Sequence, residues 1–313
     1  MIVATHMDGV LVIDKPQGLT SHDVVATVRR LTGQRRVGHT GTLDPMATGV
    51  LPLVLGQATR LARFLAASRK RYEATIVLGL ATDTYDAEGQ VTGGVRAETP
   101  DAPLPPERDV RAALARFHGD LPQVPPAYSA KKIGGVAAHR KARLGAALPQ
   151  LAAVAVTVHD LVVTRVEADR VQLDLEVSPG FYVRSLAHDL GVALGCGAHL
   201  GALRRTASGE FTLAAAIRLE TLADTRAGHG LVSLEALLCW APTVRLTEAG
   251  ARRARHGQPV AEADTTVDSR PGGPGLAGPV RLIDADGRLL GVAERGPGAP
   301  RWPLHPSVVL TYD

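Results

Sequence analysis

The sequence predicts an α+β protein, a main sheet flanked by helices and followed by a small β-rich C-terminal domain. Three observations lead there. Alternating runs rich in β-branched residues at 71–78, 154–158, 161–166 and 171–177 read as strands. Between them apolar residues recur three and four apart: Val24, Val25, Val28 and Leu31; Val110, Leu114 and Phe117; Leu186, Leu190 and Leu194. Beyond Pro242 the chain changes character, to a short basic helix and a hairpin pattern. A chain of 313 residues has room for two domains at roughly 150 residues each. The expected division is 1–240 and 241–313.

Composition narrows the class. A hydrophobic fraction of 45% and a charged fraction of 21% describe a globular chain. No apolar run reaches the ~20 residues that span a bilayer, and Met1 to Met7 is too short and uncharged for a signal peptide. Two cysteines, Cys196 and Cys239, make neither a disulfide framework nor a zinc site, which suits a reducing cytoplasm. Net charge is only +4, yet basic residues cluster, as in Arg29-Arg30, Arg35-Arg36, Arg69-Lys70-Arg71, Lys131-Lys132, Arg140-Lys141-Arg143, Arg204-Arg205 and Arg252-Arg253-Arg255. Gathered on one surface, they would form an electrostatic footprint for a nucleic acid.

Taken in order, Gly9 to Pro16 reads as a buried strand ending in a Lys-Pro turn. Ser21 is the expected N-cap of the first helix, with Asp23 in its first turn and Gly33 at its end. Leu51 to Leu55 reads as a strand, and Ala58 to Leu65 as a short helix burying Leu61, Phe64 and Leu65. Gly93 to Pro106 reads as a loop, and Asp109 to His118 as a helix closed by Gly119. Arg184 falls at a strand-to-helix junction, where rigid scaffold can hold a functional side chain; the alternative is a structural arginine paired with a carboxylate. In the tail, Thr247 caps a helix from Glu248 to Arg255, Gly272 to Gly278 is a loop, Val280–Ile283 and Arg288–Ala293 form a hairpin, and Val308 to Tyr312 is a last strand.

The densest stretch is Val37 to Leu51. Three glycines (Gly38, Gly41, Gly49) permit unusual backbone shapes, and Pro45 biases Asp44 toward an extended or turn conformation. Such a stretch is a shaped loop presenting Asp44, or else an ordinary Asp-Pro surface turn.

This loop, Gly38-His39-Thr40-Gly41-Thr42-Leu43-Asp44-Pro45-Met46-Ala47-Thr48-Gly49-Val50-Leu51, resembles the signature of the TruB family of tRNA pseudouridine synthases. Four further stretches resemble that family in the same order. They are Val12-Ile13-Asp14-Lys15-Pro16 with Gly18; Lys70-Arg71-Tyr72 with Gly79 to Asp86; Pro125-Pro126-Ala127-Tyr128-Ser129-Ala130-Lys131-Lys132; and Gly180-Phe181-Tyr182-Val183-Arg184-Ser185-Leu186 with Leu203-Arg204-Arg205-Thr206. The segment 135–144 departs, with Ala137-Ala138-His139-Arg140-Lys141-Ala142-Arg143 where the family has an aromatic and acidic pattern.

The resemblance implies a pseudouridine synthase fold with a central mixed sheet, a PUA-like C-terminal domain, and conversion of uridine 55 in the TΨC arm of tRNA. Asp44 would be the catalytic nucleophile, Arg184 its partner and Tyr72 the platform on which the base stacks. Tyr182 would lie beside the base, Leu203 would line the pocket, and His39 would fill the space the base leaves or wedge the loop open. Tyr72 by itself is also readable as a half-buried strand tyrosine. Lys15, grouped with the substrate-contacting residues, is readable as a solvated turn lysine or as loop support. Asp44 could attack C1′ of the ribose, attack C6 of the base, or remove the C2′ proton. Arg184 should hold it ionised, lowering its pKa by roughly one to three units.

No metal or cofactor is expected, the partner is tRNA, and the chain should act as a monomer off the membrane. The rival readings are an RNA-folding factor, a guide-dependent relative in a ribonucleoprotein, and a glycosidase-like hydrolase, for which neither Asp14 nor Asp83 has motif support as a second carboxylate.

Overall fold

A computed structural model describes residues 7–128, 132–133, 136–137, 152–223, 230–266, 277–295 and 302–312. Ser129 to Lys131, most of the departing segment 135–144, the loop residues 272–276 and the alternative start at Met1 lie outside the described residues.

The chain opens with β1 (Gly9–Lys15) and α1 (Ser21–Thr32). Next come β2 (Val37–His39), β3 (Thr48–Leu55), α2 (Ala62–Ala66) and β4 (Lys70–Leu78). A helix, α3 (Glu107–Ala115), precedes β5 (Gly119–Gln123), β6 (Val154–Glu167) and β7 (Arg170–Val177). Then follow α4 (Val183–Ala193), β8 (Ala198–Ser208) and β9 (Ile217–Arg218). The path β9–β1–β3–β8–β4–β7–β6–β5 runs through an eleven-stranded sheet of the described residues.

The α+β class and central mixed sheet are as the sequence predicts. The two runs at 154–158 and 161–166 form one strand, β6, because a slip in register between Val158 and Asp160 inserts a bulge that breaks the alternation without ending the pairing. The 93–106 stretch contains a helical turn, Val95–Glu98, rather than loop throughout.

Two antiparallel blocks meet inside this sheet. β1 pairs antiparallel with β3, and β8, β4, β7, β6 and β5 pair antiparallel in turn. A two-residue parallel contact joins the blocks, Arg204 opposite Thr48 and Arg205 opposite Gly49. That contact requires glycine. Gly49 has φ +100°, and a Cβ there would lie 2.2 Å from the Arg205 carbonyl oxygen. The loop bearing Asp44 enters β3 at this junction.

Both faces of β1 and β3 are covered, which explains their nearly unbroken apolar runs. Leu11, Ile13, Leu51, Leu53 and Leu55 pack with Val24, Val25 and Val28 of α1 and with Leu186 and Leu190 of α4. Val10, Val12, Val50 and Val54 face the other way, onto Phe64, Leu289 and Val292. The last two belong to a second sheet.

That sheet has four strands in chain order, β10 (Thr243–Arg245), β11 (Gly278–Ile283), β12 (Leu289–Arg295) and β13 (His305–Val309). Its far face packs under α5 (Glu248–Arg255), which Thr247 caps by accepting from the Gly250 amide. The last strand lies three residues earlier than expected. Tyr312 leaves the ladder, and its hydroxyl donates to the Leu289 carbonyl at 2.7 Å. Among the described residues no helix is long and apolar enough to cross a membrane.

Candidate active site

The segment 40–47 is held from three sides. On one side stands α1. Thr20, not Ser21, caps that helix, in a reciprocal box with Asp23. Ser21 is thereby free for a buried pairing with Leu43, its hydroxyl donating to the carbonyl at 3.1 Å and accepting from the amide at 2.8 Å. Below the loop, Lys15 is fully buried, and its ammonium donates to the carbonyls of Pro16, Leu19 and Pro45. All three donors of Lys15 are committed to backbone carbonyls, so its ammonium supports the loop. From β8, Arg205 donates to the carbonyls of Val50 and Gly41 at 2.6 and 3.1 Å.

Asp44 is pinned at both oxygens by one guanidinium. Arg184 Nε lies 2.9 Å from Oδ2, and Nη2 donates to Oδ1 at 3.1 Å. Arg184 stands in the first turn of α4, where Tyr182 and Val183 set its direction. Its Nη1 reaches Asp86 Oδ2 at 3.3 Å and the Thr84 carbonyl at 3.1 Å, and its Nη2 also donates to the Tyr128 carbonyl at 2.8 Å. The side chains of Arg184 and Asp86 are 6% and 5% exposed, whereas that of Asp44 is 32% exposed. Only the Asp44 end of this network is accessible.

Burial raises the Asp44 carboxyl above its ordinary value of 3.8; Arg184 opposes this, and the Asp86 charge adds to it. Arg184 lowers the pKa as expected, yet the net shift is upward. The arginine's attraction is smaller than the loss of water around the carboxylate, and it is shared with a second acid.

Asp44, Arg184, Tyr72, Tyr182 and Leu203 line one cavity of about 250 Å³. Ligand pockets for larger molecules run from roughly 300 Å³ upward, so this one suits a single ring. Tyr72 and Leu203 come from neighbouring strands and share a face, since Leu203 pairs with Ala74 and Arg205 with Tyr72. His39 stands apart. Thr40 to Asp44 form a wall of the cavity and His39 does not. Its Nδ1 is buried without a hydrogen-bond partner, and burial, with Arg205 and His22 nearby, lowers its pKa.

Four participants are not singled out by the sequence. Asp86 closed a motif without an assigned role, although a second aspartate three residues after Asp83 was the available signal. Arg205 and Lys70 were counted among surface basic clusters, yet they are 1% and 7% exposed and line the cavity. Gln123 had no signal at all. Its side-chain amide donates to the Tyr182 carbonyl at 3.0 Å and accepts from the Tyr182 amide at 2.8 Å, clamping the residue that starts α4. Among the described residues some of the clustered cations are paired: Arg69 and Arg71 both pair with Glu176, and Arg204 pairs with Asp14.

A mixed sheet with a buried arginine and one accessible aspartate at its central junction agrees with the comparisons. A family model described as the N-terminal domain of TruB family pseudouridylate synthase matches residues 29–183. Two C-terminal domain models of tRNA pseudouridylate synthase B and pseudouridine synthase II TruB match 184–238 and 242–299. The chain belongs to the TruB family of pseudouridylate synthases. It is 46% identical over 300 residues to tRNA pseudouridine synthase B of Thermobifida fusca (strain YX), covering 93% of this chain and 96% of the relative. The protein of that name from Burkholderia mallei (strain NCTC 10247) is 44% identical, over 93% and 94% of the two chains. Among solved structures, a crystal structure of a Cbf5-Nop10-Gar1 complex matches at TM-score 0.74 and 25% identity, over 96% of this chain and 84% of that one. The archaeal box H/ACA sRNP Nop10-Cbf5 complex matches at TM-score 0.73 and 23% identity, over 97% and 86%, a likeness of fold.

Proposed function

We propose that this chain isomerises uridine 55 in the TΨC arm of tRNA to pseudouridine, with Asp44 as the nucleophile. The observation that carries the reading is a carboxylate gripped at both oxygens by Arg184 and open to a cavity walled by Tyr72 and Leu203. The reaction breaks the N1–C1′ bond, turns the base and joins C5 to C1′. The C5 proton leaves and N1 gains one, so nothing is added or lost. It needs one fixed carboxylate and a space in which the freed base turns without escaping.

The uridine must leave the RNA fold to reach Asp44, at a cost of a few kcal/mol. Stacking on Tyr72 offsets about 1–3 kcal/mol of that. Leu203 covers the opposite side of the ring, and Tyr182 lies beside it. His39, a neutral imidazole one residue before the cavity wall, fills the gap left in the RNA. Lys and Arg contacts to phosphate supply salt-sensitive affinity. The protein acts as a monomer in the cytoplasm.

A retaining glycosidase would need a second carboxyl group placed to protonate the leaving group. Asp86 sits behind Arg184 and is 5% exposed, which disfavours that chemistry. Identity of 46% to a protein named tRNA pseudouridine synthase B, against 25% to a chain of a Cbf5-Nop10-Gar1 complex, favours stand-alone action.

The test is pseudouridine formation at position 55 of an unmodified tRNA by purified protein, wild type against Asp44→Asn, without guide RNA. Product from the wild type, with the variant below about one ten-thousandth of its rate, supports the reading. Tight tRNA binding with no product from the wild type overturns it in favour of a folding factor.

A further inference from the structure

Lys70 is the cavity residue to which the reaction above assigns no role. It begins β4 and stands two residues before Tyr72, so both side chains project from the same face of the sheet. It lines the same cavity as Asp44, Tyr72 and Leu203. Although 93% of it is shielded from water, no carboxylate among the described residues pairs with it; its exposure is 7%. Its ammonium donates to the carbonyls of Ala66 and Ser68, which fix its position at the cavity edge; among the described residues its third N–H has no partner. Arg205, directly across from Tyr72 on β8, is a second buried cation without an acidic partner among the described residues. Two positive charges thus stand on the Tyr72 face of the sheet, in the wall of the cavity that Asp44 also lines.

We propose that Lys70 is a catalytic residue that stabilises the negative charge on the detached uracil, donating its third N–H to a carbonyl oxygen of the base. This rests on the pseudouridine synthase reading of the same site. When Asp44 attacks C1′, a C1′–O bond forms as the C1′–N1 bond breaks, and the electron pair passes into the ring and onto O2 and O4. When Asp44 instead removes the C2′ proton, the same pair leaves with the base. Attack at C6 places the charge on O4 as an enolate. In each path an anion forms on the base, and a cation already fixed in the cavity wall stabilises it without having to reorganise. Burial and the Arg205 charge lower the Lys70 pKa to about 8, as expected of a cation without an acidic partner until the base itself becomes negative. Rejoining through C5 discharges the anion and returns Lys70 to its starting state.

The experiment is single-turnover kinetics with wild type, Lys70→Met and Lys70→Arg on tRNA carrying uridine or 5-fluorouridine at the target position, with tRNA affinity measured in parallel. The rate read on both substrates is cleavage of the C1′–N1 bond, because a fluorine at C5 leaves no proton to depart after rejoining. Fluorine withdraws electrons from the ring and makes the base a better leaving group, so it needs less help. Lys70→Met should lose about 100-fold in rate on uridine, with tRNA affinity within about threefold. On 5-fluorouridine the loss should shrink about tenfold, and Lys70→Arg should recover most of the rate. A Lys70→Met enzyme within threefold of wild type overturns the proposal, and so does an equal loss on both substrates, the signature of a displaced turn. Should Lys70→Met fail to fold, Lys70→Gln against Lys70→Arg gives the same leaving-group ratio. Each of these outcomes leaves pseudouridine formation by the wild type standing, whereas failure of the wild type refutes the functional reading itself.

Discussion

Two arginines hold an aspartate through both oxygens, and their surroundings separate their roles. Arg204 on β8 grips Asp14 at 3.0 and 2.9 Å, with the side chains 35% and 26% exposed. Arg184 grips Asp44 at similar distances but is 6% exposed, and it holds a second acid, Asp86, that water scarcely reaches. The first pair is a surface contact that water and salt weaken. The second is a buried network of one cation and two acids, with a single oxygen-bearing end turned to a cavity. Geometry at the pair is alike; burial decides which one can do chemistry.

Removing each arginine tests this contrast most directly. Arg184→Met should abolish activity and, by leaving Asp86 buried and unpaired, cost about 3–5 kcal/mol of stability, read by chemical denaturation. Gln123→Ala should cost about 1–3 kcal/mol, because the Tyr182 amide and carbonyl lose their buried partner. The rate should fall further than tRNA affinity, since the clamp sets the start of the helix that bears Arg184.

Asp86→Asn tests the electrostatics. The raised Asp44 pKa means the folded chain keeps that proton to a higher pH than the unfolded chain does. This group's contribution to stability is therefore present below the ordinary value of 3.8 and is lost as pH rises through the raised one. With Asp44 in its proposed role as nucleophile, activity has the opposite slope, since the carboxylate must be ionised, and the acid limb of the pH–rate profile should lie above pH 3.8. Removing the Asp86 charge, which raises the Asp44 pKa, should move that limb to lower pH. An unmoved limb would mean that Asp86 is only structural. The smallest effect belongs to the surface pair: Arg204→Ala should change stability by no more than about 1 kcal/mol, and less at high salt.

Much of this was legible beforehand, for identifiable reasons. The strands at 71–78 and 171–177 and the helix at 248–255 follow from local periodicity and caps. The loop at 38–51 could be read because glycines, a proline and an aspartate are packed into one short stretch. Other features misled. Arg205 looks like its neighbour Arg204 in sequence, yet alternation along β8 sends one inward to the carbonyls of Gly41 and Val50 and the other outward to Asp14. Ser21 and Thr20 are both good caps, and only the position of Leu43 decided which hydroxyl was free.

The sequence by itself determined the element types, the aspartate loop and the family, because these depend on neighbours along the chain and on runs of matched residues. Tertiary structure decided which groups share the cavity. Asp44, Asp86 and Arg184 lie far apart in the chain and meet only once the chain is folded. It also decided the sign of the Asp44 shift, since the water excluded around a carboxylate depends on everything folded against it.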